Sequence, residues 1–388
     1  MIGGLKNDLL EGGEGNDTID GGTGNDIIDG GTGNDTVSYQ TSTTGAVINL
    51  TLQKAEVGAD VDTLISIENV IGSEKDDIIK GNDKDNVLKG GADKDEIYAS
   101  KGKDTLDGGD GNDEANFSEI TDRSIDITLN MDGEQNVVYK DLTEEKNIIT
   151  DIDTKIVKIE NITGTINNDS ITGDAKANIL KGDAGDDILN GMAQNDTIDG
   201  GEGNDIIDGG EGSDSLKGDA GDDIFKYSKG NDKYDGGTNT NIGDTIDFRT
   251  ADAGIKLDFS TAEGQEQTIN IATGEKVTLT EMENTIGSLH NDTFISNITK
   301  SNTIDGSEGD DNISYESLEI NGDPDNNRLV ATSMTDIKIY QNGMVQPADS
   351  LISIESLTAT NGNDEFNFEE VNYDLFLYGI DGNDKMIG

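Results

Sequence analysis

A run of eight consecutive nonapeptides, from Gly164 to Asp235, constrains the fold of this chain more than any other feature. The units read GTINNDSIT, GDAKANILK, GDAGDDILN, GMAQNDTID, GGEGNDIID, GGEGSDSLK, GDAGDDIFK and YSKGNDKYD. Glycine opens seven of the eight units, a carboxylate or amide holds the sixth position, and an apolar or aromatic residue holds the eighth. A period this short and this regular indicates a coil that stacks on copies of itself.

Each unit divides into a turn and a short strand. The first six residues are rich in Gly, Asn and Asp, which tolerate the backbone conformations of tight turns, and the last three surround one apolar side chain. Two units would complete one coil and return the chain to a parallel strand about 4.8 Å away. Residue i then lies over residue i+18, and the apolar residues of both half-coils meet inside. The sequence therefore predicts an all-β fold, a parallel β-roll.

This register stacks the carboxylates of the sixth position. Asp187 would lie below Asp205 and Asp223 at one edge, and Asp196, Asp214 and Asp232 would share the other edge. Ladders of like charge oppose folding. A hard divalent cation between successive coils would reverse that effect, since calcium takes six to eight oxygens, and these turns offer carboxylates and glycine carbonyls. A solvated acidic surface is the alternative, but eight units in register favour a metal.

The repeats resemble those of a known protein family. The units GGEGNDIID at 200–208 and GGTGNDIID at 21–29 match the pattern GGxGxDxUx of RTX proteins, the hemolysin-type calcium-binding repeats. The resemblance covers about half of the chain. It implies a β-roll with several calcium ions between its coils, export through a type I secretion apparatus, and folding outside the cell.

The aspartates at the sixth position are the candidate metal ligands. They are Asp8, Asp17, Asp26 and Asp35 in a first block, Asp77, Asp95, Asp104 and Asp113 in a second, Asp169, Asp187, Asp196, Asp205, Asp214, Asp223 and Asp232 in the third, and Asp311 and Asp384 in single units. One ion for each stacked pair of intact turns gives on the order of ten ions. We expect fewer or weaker sites in the second block, where Lys84, Lys101 and Lys103 could neutralise the ladder in place of calcium.

Stretches without the nonapeptide separate the repeat blocks. In the first of them Ala46, Ile48 and Leu50 alternate with polar residues, as in a strand with one buried face. We therefore predict roll segments at 1–38, 72–116, 164–247, 287–314 (degenerate units) and 358–388 (partial units), interrupted by β-hairpin or meander inserts at 39–71, 117–163, 248–286 and 315–357. Whether one roll continues across the inserts stays open at this point.

Composition limits the partners. With 81 acidic and 27 basic residues the formal net charge is −54, which excludes nucleic acid as a natural partner and disfavours an anionic membrane. No apolar stretch is long enough for a membrane span, and the chain has no cysteine for a disulfide framework. The sequence begins and ends inside a repeat, so we expect a segment of a longer protein.

These features predict a calcium-binding structural segment of a secreted bacterial RTX protein, at the cell surface or outside the cell. An adhesin, an S-layer protein or a matrix component with an unidentified surface or matrix ligand fits best. The alternative is a non-catalytic module of a secreted enzyme, such as a protease, lipase or alginate epimerase, or of a pore-forming toxin. We do not expect an enzyme in this segment, because the inserts are too short to build a cleft that would shift the pKa of one carboxylate of a pair.

Overall fold

The computed structural model describes residues 1–130, 133–141, 148–149, 154–240, 242–259, 265–270, 274–296, 302–315, 328–333, 336–341, 344–346, 349–354, 356–360, 363–367, 376–380 and 384–387. Within them the chain forms β-strands and no helix, which confirms the predicted all-β class. In the same part of the chain there is accordingly no helix long and apolar enough to cross a membrane. The chain divides into two units, Met1–Glu202 and Gly203–Gly388.

The first unit contains strands that are mostly three to six residues long. They are β1 Ile2–Leu5, β2 Leu9–Glu14, β3 Thr18–Thr23, β4 Ile27–Thr32, β5 Thr36–Ser38, β6 Ala46–Asn49, β7 Lys54–Val57, β8 Asp60–Ile65, β9 Asn69–Ile71, β10 Ile78–Lys80, β11 Val87–Ala92, β12 Glu96–Tyr98, β13 Thr105–Asp110, β14 Glu114–Asn116, β15 Arg123–Thr128, β16 Glu134–Asn136, β17 Val138–Asp141, β18 Ile148–Ile149, β19 Lys155–Val157, β20 Asn161–Thr163, β21 Ser170–Thr172, β22 Ile179–Ala184, β23 Ile188–Asn190 and β24 Thr197–Glu202.

The second unit follows the same plan. Its strands are β25 Ile206–Asp208, β26 Ser215–Ala220, β27 Ile224–Lys226, β28 Asn231–Thr238, β29 Thr245–Asp247, β30 Lys256–Asp258, β31 Glu266–Asn270, β32 Glu275–Thr280, β33 Asn284–Ile286, β34 Thr293–Ile295, β35 Thr303–Asp305, β36 Asn312–Ser314, β37 Arg328–Ser333, β38 Asp336–Gln341, β39 Met344–Gln346, β40 Ser350–Ile352, β41 Ser356–Thr358, β42 Glu365–Asn367, β43 Phe376–Tyr378 and β44 Lys385–Ile387.

Strand pairing follows the period of two nonapeptides. In the first block β2 pairs in parallel with β4 and sets Leu10 opposite Ile28. In the second unit β26 pairs in parallel with β28 and sets Leu216 opposite Tyr234. Each strand thus lies beside the strand that follows two units later, as a roll requires. The parallel β-roll predicted from the repeats is confirmed.

The core of the roll consists of the residues at the eighth position. In the intact repeats they are all buried: Leu10, Ile19, Ile28, Val37, Ile79, Leu88, Ile97, Leu106, Ala115, Ile171, Leu180, Leu189 and Ile198 in the first unit, and Ile207, Leu216, Phe225 and Tyr234 in the second. Burial of one such aliphatic side chain stabilises the fold by about 1.5–3 kcal/mol. One large apolar residue per nine leaves a narrow core, so the turns must also hold themselves together.

The first insert is a meander that enlarges a sheet of the roll. β6 and β7 pair antiparallel, as do β7 and β8. At its two ends β8 pairs in parallel with β4 of the first block, and β6 pairs in parallel with β10 of the second. The other face continues directly, because β5 pairs in parallel with β9 and β9 with β11. Here the roll continues across the insert.

The remaining inserts also combine antiparallel strands with a parallel strand that joins the roll. In the second, β15 pairs antiparallel with β17 and in parallel with β21. In the third, β31 pairs antiparallel with β32, which pairs in parallel with β28. In the fourth, β37 pairs antiparallel with β38 and in parallel with β42.

A buried aromatic residue marks the start of each insert. Its N–H donates to the carbonyl of the residue that ends the strand closing the insert: Tyr39 to Ile71 (2.8 Å), Phe117 to Thr163 (2.8 Å), Phe248 to Ile286 (2.8 Å) and Tyr315 to Thr358 (2.9 Å). Each aromatic side chain is at most 4% exposed. The ring fills the core where the repeat stops, and the backbone bond brings the two ends of the insert together.

Candidate metal centre

The residues at the sixth position form hydrogen-bonded ladders along the roll. The backbone N–H of each donates to Oδ1 of the residue one coil later: Asp8 to Asp26, Asp17 to Asp35, Asp77 to Asp95, Asn86 to Asp104, Asp95 to Asp113, Asp169 to Asp187, Asn178 to Asp196, Asp205 to Asp223 and Asp214 to Asp232, at 2.6–2.9 Å. These side chains are mostly buried. One oxygen of each carboxylate thus holds the coils together, and the surroundings of the second oxygen differ from turn to turn.

Glycine at the first position brings the second oxygen close to a carbonyl. A Cβ added at Gly12 would lie 2.5 Å from the carbonyl oxygen of Gly30 and 2.9 Å from Oδ2 of Asp17. Both oxygens therefore face the same small space, which only glycine leaves open. Among the described residues, the aspartates with a buried Oδ2 that accepts no hydrogen bond include Asp8, Asp17, Asp26, Asp35, Asp95, Asp113, Asp223 and Asp244. We call turns of this kind open turns.

A second group of turns satisfies the carboxylate or amide of the sixth residue internally, and we call these closed turns. Their second position holds Ser, Thr, Asn or Asp instead of glycine, and its backbone N–H donates to the sixth residue: Ser73 to Asp77, Asn82 to Asn86, Ser100 to Asp104, Thr165 to Asp169, Asp174 to Asn178, Ser288 to Asp292 and Thr360 to Asp364. In the open turns the second position is usually a glycine with positive φ, such as Gly91 at 135°. The backbone conformation of the second residue therefore separates the two kinds of turn, since Asp219, the second residue in the open turn of Asp223, also has a positive φ of 72°.

The predicted ligands divide between these groups. Asp77, Asp104 and Asp169 lie in closed turns, and Oδ2 of Asp232 accepts from Ser228 Oγ and Tyr234 Oη, both at 3.2 Å. Asp8, Asp17, Asp26, Asp35, Asp95, Asp113 and Asp223 lie in open turns. Asp187, Asp196, Asp205, Asp214 and Asp311 occupy ladder positions and make further interactions. Asp384 accepts the N–H of Asp364 at 3.0 Å and is half-buried. The structure thus places the predicted residues on the ladders, while their role as ligands stays a prediction.

Repeat counting did not identify several further members of the ladders. Glu68, Glu160 and Glu283 accept the N–H of Asp35, Asp113 and Asp244 at 3.0, 3.1 and 3.1 Å, where the first three inserts rejoin the roll. Their signal was present as a recurring Glu-Asn-x-x-Gly in SIENVIG, KIENITG and EMENTIG. The spacing of 18 residues did not predict Asp244, because its turn is longer and it follows its partner Asp223 after 21 residues.

Burial raises the pKa of several ladder carboxylates, in open and in closed turns. Desolvation raises the pKa of Asp95 to about 8, and the Asp77 carboxylate adds to the effect. Desolvation also raises the pKa of Asp223 and of Asp244 to about 7, and that of Asp113 to about 6. Within the metal-free fold these groups therefore hold protons at pH values where free aspartate is ionised. A bound cation would remove that penalty.

The available donors fit a hard cation. Around the open turns they are carboxylate and carbonyl oxygens, such as Oδ2 of Asp17 beside the carbonyl of Gly30. No group of three or more acidic, histidine or cysteine side chains suited to a metal occurs among the described residues. Carboxylates alone therefore do not complete a site, and backbone carbonyls would have to supply the remaining ligands. Calcium is the cation that accepts such mixed oxygen donors.

Comparison with known proteins agrees with this geometry. A family model described as the RTX calcium-binding nonapeptide repeat matches residues 2–37, 71–105, 80–115, 163–198, 199–234 and 299–317. No curated protein matches the chain. The matched segments include the open turns around Asp17, Asp26, Asp95 and Asp223. On these matches and this fold, the chain contains several copies of the RTX calcium-binding repeat.

Proposed function

We propose that this calcium-binding repeat region is a structural segment of a secreted bacterial protein, of the adhesin, S-layer or extracellular matrix type, and that it folds on calcium outside the cell. One observation carries the proposal. The open turns bury carboxylate oxygens that accept no hydrogen bond, in a chain whose net charge is −54. Such oxygens cost several kcal/mol to desolvate without a counter-ion.

Calcium would act on the open turns only. When bound, it supplies positive charge and oxygen coordination that no side chain of the ladder provides. The residues that would hold it are the ladder aspartates with a second oxygen not hydrogen-bonded, among them Asp17, Asp95 and Asp223, together with carbonyls such as that of Gly30. The Oδ1 atoms already accept the backbone N–H of the preceding coil in the folded roll.

The level of calcium then decides where the chain folds. Extracellular calcium is in the millimolar range in which weak oxygen sites fill, whereas cytosolic calcium leaves them empty. An acidic chain with few apolar residues stays unfolded until its charges are compensated. These conditions suit export of an unfolded chain by a type I secretion apparatus, which the family resemblance suggests as a partner.

The alternative is a non-catalytic module of a secreted enzyme or of a pore-forming toxin. We also propose that this segment has no catalytic role, and this holds for both candidate functions. Nothing in the ladders distinguishes an adhesin from a module of this kind, because both need only a folded, calcium-bound roll. Sequence on either side of the segment would distinguish them by a catalytic or pore-forming domain.

A calcium titration followed by far-UV circular dichroism tests the proposal. We expect a cooperative gain of β signal between about 0.1 and 1 mM calcium. The same concentrations of magnesium should give none, because magnesium requires near-ideal octahedral geometry and loses its water ligands reluctantly. Asp95→Asn should raise the calcium midpoint. Asp83→Asn is the matched control, since Asp83 is exposed in the same block. Full β structure in excess chelator would refute calcium-dependent folding.

A further inference from the structure

The roll restarts after each of the first three inserts on an aspartate with three hydrogen bonds. Oδ2 of Asp77 accepts the N–H of Ser73 at 2.5 Å, while Oδ1 accepts Ser73 Oγ at 2.9 Å and the N–H of Ala46 at 2.6 Å. Asp169 accepts the N–H of Thr165 at 2.5 Å and its Oγ1 at 3.0 Å. Its third donor is the N–H of Ile125, at 2.7 Å.

The third insert repeats the arrangement in the second unit. Asp292 accepts the N–H of Ser288 at 2.6 Å, its Oγ at 2.7 Å and the N–H of Ile255 at 2.8 Å. Ala46 begins the first strand of its insert, Ile125 is the third residue of β15, and Ile255 lies immediately before β30. The insert itself thus donates to the aspartate that reopens the roll, and both oxygens of that carboxylate already accept hydrogen bonds.

In the coils that follow the first two inserts, a lysine at the opposite edge pairs with a ladder glutamate. Lys84 Nζ lies 2.8 Å from Oε1 of Glu68, and Lys176 Nζ lies 3.1 Å from Oε1 of Glu160. Both glutamates have side chains only 13–14% exposed. The Lys84 and Lys176 ammonium groups therefore each lie within ion-pair distance of a ladder carboxylate.

An amide completes this edge. Asn86 replaces the ladder aspartate, and its Nδ2 donates to the Glu68 carbonyl at 2.7 Å. Asn178 does the same to the Glu160 carbonyl at 2.7 Å. The amide is neutral, so it adds no charge that a cation would have to offset. Residues 72–89 and 164–181, which we call the restart coils, therefore satisfy the ladder at both edges with groups of the chain itself.

We infer that the restart coils fold without calcium, with the Ser or Thr hydroxyl at one edge and the Lys ammonium at the other in the place that calcium takes in open turns. The inference rests on the proposed calcium binding of the open turns. It makes Ser73, Thr165, Lys84 and Lys176 the residues that decide which coils need the ion. Each insert is then anchored to a coil that forms first, and calcium extends the roll from that coil.

Hydrogen–deuterium exchange of the whole chain, followed by mass spectrometry, tests this inference. In EGTA we expect peptides from 72–89 and 164–181 to exchange at least about tenfold more slowly than peptides from the open turns at 12–35 and 90–98. In calcium all of them should be protected. Equal exchange of restart coils and open turns in EGTA would overturn the inference. Slow restart coils together with open turns that calcium fails to protect would overturn the proposed function instead.

Matched variants address the two edges separately. Thr165→Ala should speed exchange of 164–181 in EGTA about five- to tenfold by removing one buried hydrogen bond, whereas Thr165→Ser should not. Thr197→Ala, at an exposed threonine, is the control. Lys84→Met should speed exchange of 72–89, and Lys89→Met, at a lysine of the same repeat whose Nζ lies 4.0 Å from Asp107, should leave it unchanged. Unchanged exchange in both Thr165→Ala and Lys84→Met would contradict the assigned roles.

Discussion

The backbone N–H of Asp95 donates to Oδ1 of Asp113 at 2.9 Å, while Oδ2 of Asp113 is buried and accepts no hydrogen bond. The two oxygens of one carboxylate therefore have different tasks. The first fixes the spacing of successive coils and needs no metal. The second is stable only with a proton or a cation beside it, which couples the fold to its ionic surroundings.

Asp113→Asn should change stability in opposite directions with and without calcium. The amide can keep the bond from the Asp95 N–H but removes a buried negative charge, so the metal-free chain should gain about 1–2 kcal/mol. With calcium the variant loses a charged ligand and should fall below wild type by a similar amount. Thermal unfolding in EGTA and in 5 mM calcium, a concentration of about the extracellular order, measures both.

Asp110→Asn provides the control for that prediction. Asp110 is in the same repeat, its side chain is 93% exposed, and it only approaches Lys158 at 3.6 Å. Surface ion pairs of this kind contribute about 0–1 kcal/mol. A shift of equal sign in both buffers for Asp113→Asn would show that its second oxygen does not respond to calcium.

Gly12→Ala should destabilise the roll whatever the calcium level. The added methyl group would lie 2.5 Å from the Gly30 carbonyl oxygen and 2.9 Å from Oδ2 of Asp17, so the coils must separate. We expect a loss of about 2–3 kcal/mol in chemical unfolding. Gly133→Ala is the control, because its nearest neighbour is 3.3 Å away and its φ is not positive. Similar losses in the two variants would argue against a steric requirement at the first position.

Much of this architecture could be predicted from the sequence, because a nonapeptide with one apolar residue has few ways to bury it. The period gives the parallel register, and the register alone stacks Asp17 below Asp35. The difference between Asp77 and Asp95 was not evident in the same way. Both occupy the sixth position, but the Ser73 N–H and hydroxyl satisfy Asp77, whereas Gly91 at the equivalent place leaves Oδ2 of Asp95 without a hydrogen bond.

The inserts were harder to predict, because their contacts to the roll join residues far apart in sequence. Asp62 lies 36 residues after Asp26, yet its Oδ1 accepts the Asp26 N–H at 2.8 Å and so continues the ladder. No local sequence pattern predicts this pairing, because it depends on the meander bringing β8 beside β4. The lysine ion pairs were partly foreseen: Lys84 does neutralise a ladder carboxylate, Glu68, through a contact that the repeat alone did not suggest.

Tyr39→Phe should weaken the first insert. Tyr39 Oη donates to Oδ2 of Asp62 at 3.0 Å, and both side chains are buried. Loss of the hydroxyl leaves a buried carboxylate oxygen without its donor and should cost about 1–3 kcal/mol in urea unfolding in calcium. Tyr378→Phe, at a tyrosine that is 53% exposed, should change stability little. If the two variants were equally stable, the buried hydroxyl would not be needed to end this ladder.

Acidification should partly replace calcium in the metal-free chain. Burial raises the pKa of Asp95 to about 8 and those of Asp223 and Asp244 to about 7, above the value of free aspartate near 3.8. A group whose pKa is higher in the folded state gives its full stabilisation below the unfolded pKa and loses it as the pH rises through the folded pKa. Metal-free stability should therefore increase as the pH falls from about 8 towards 5, still above the isoelectric point of about 4.1. Far-UV circular dichroism in chelator should show a gain of β signal over this range, smaller in Asp95→Asn, while the calcium midpoint rises because protons compete for the same oxygens. A metal-free signal that stays constant or decreases on acidification would mean that these buried carboxylates do not limit folding.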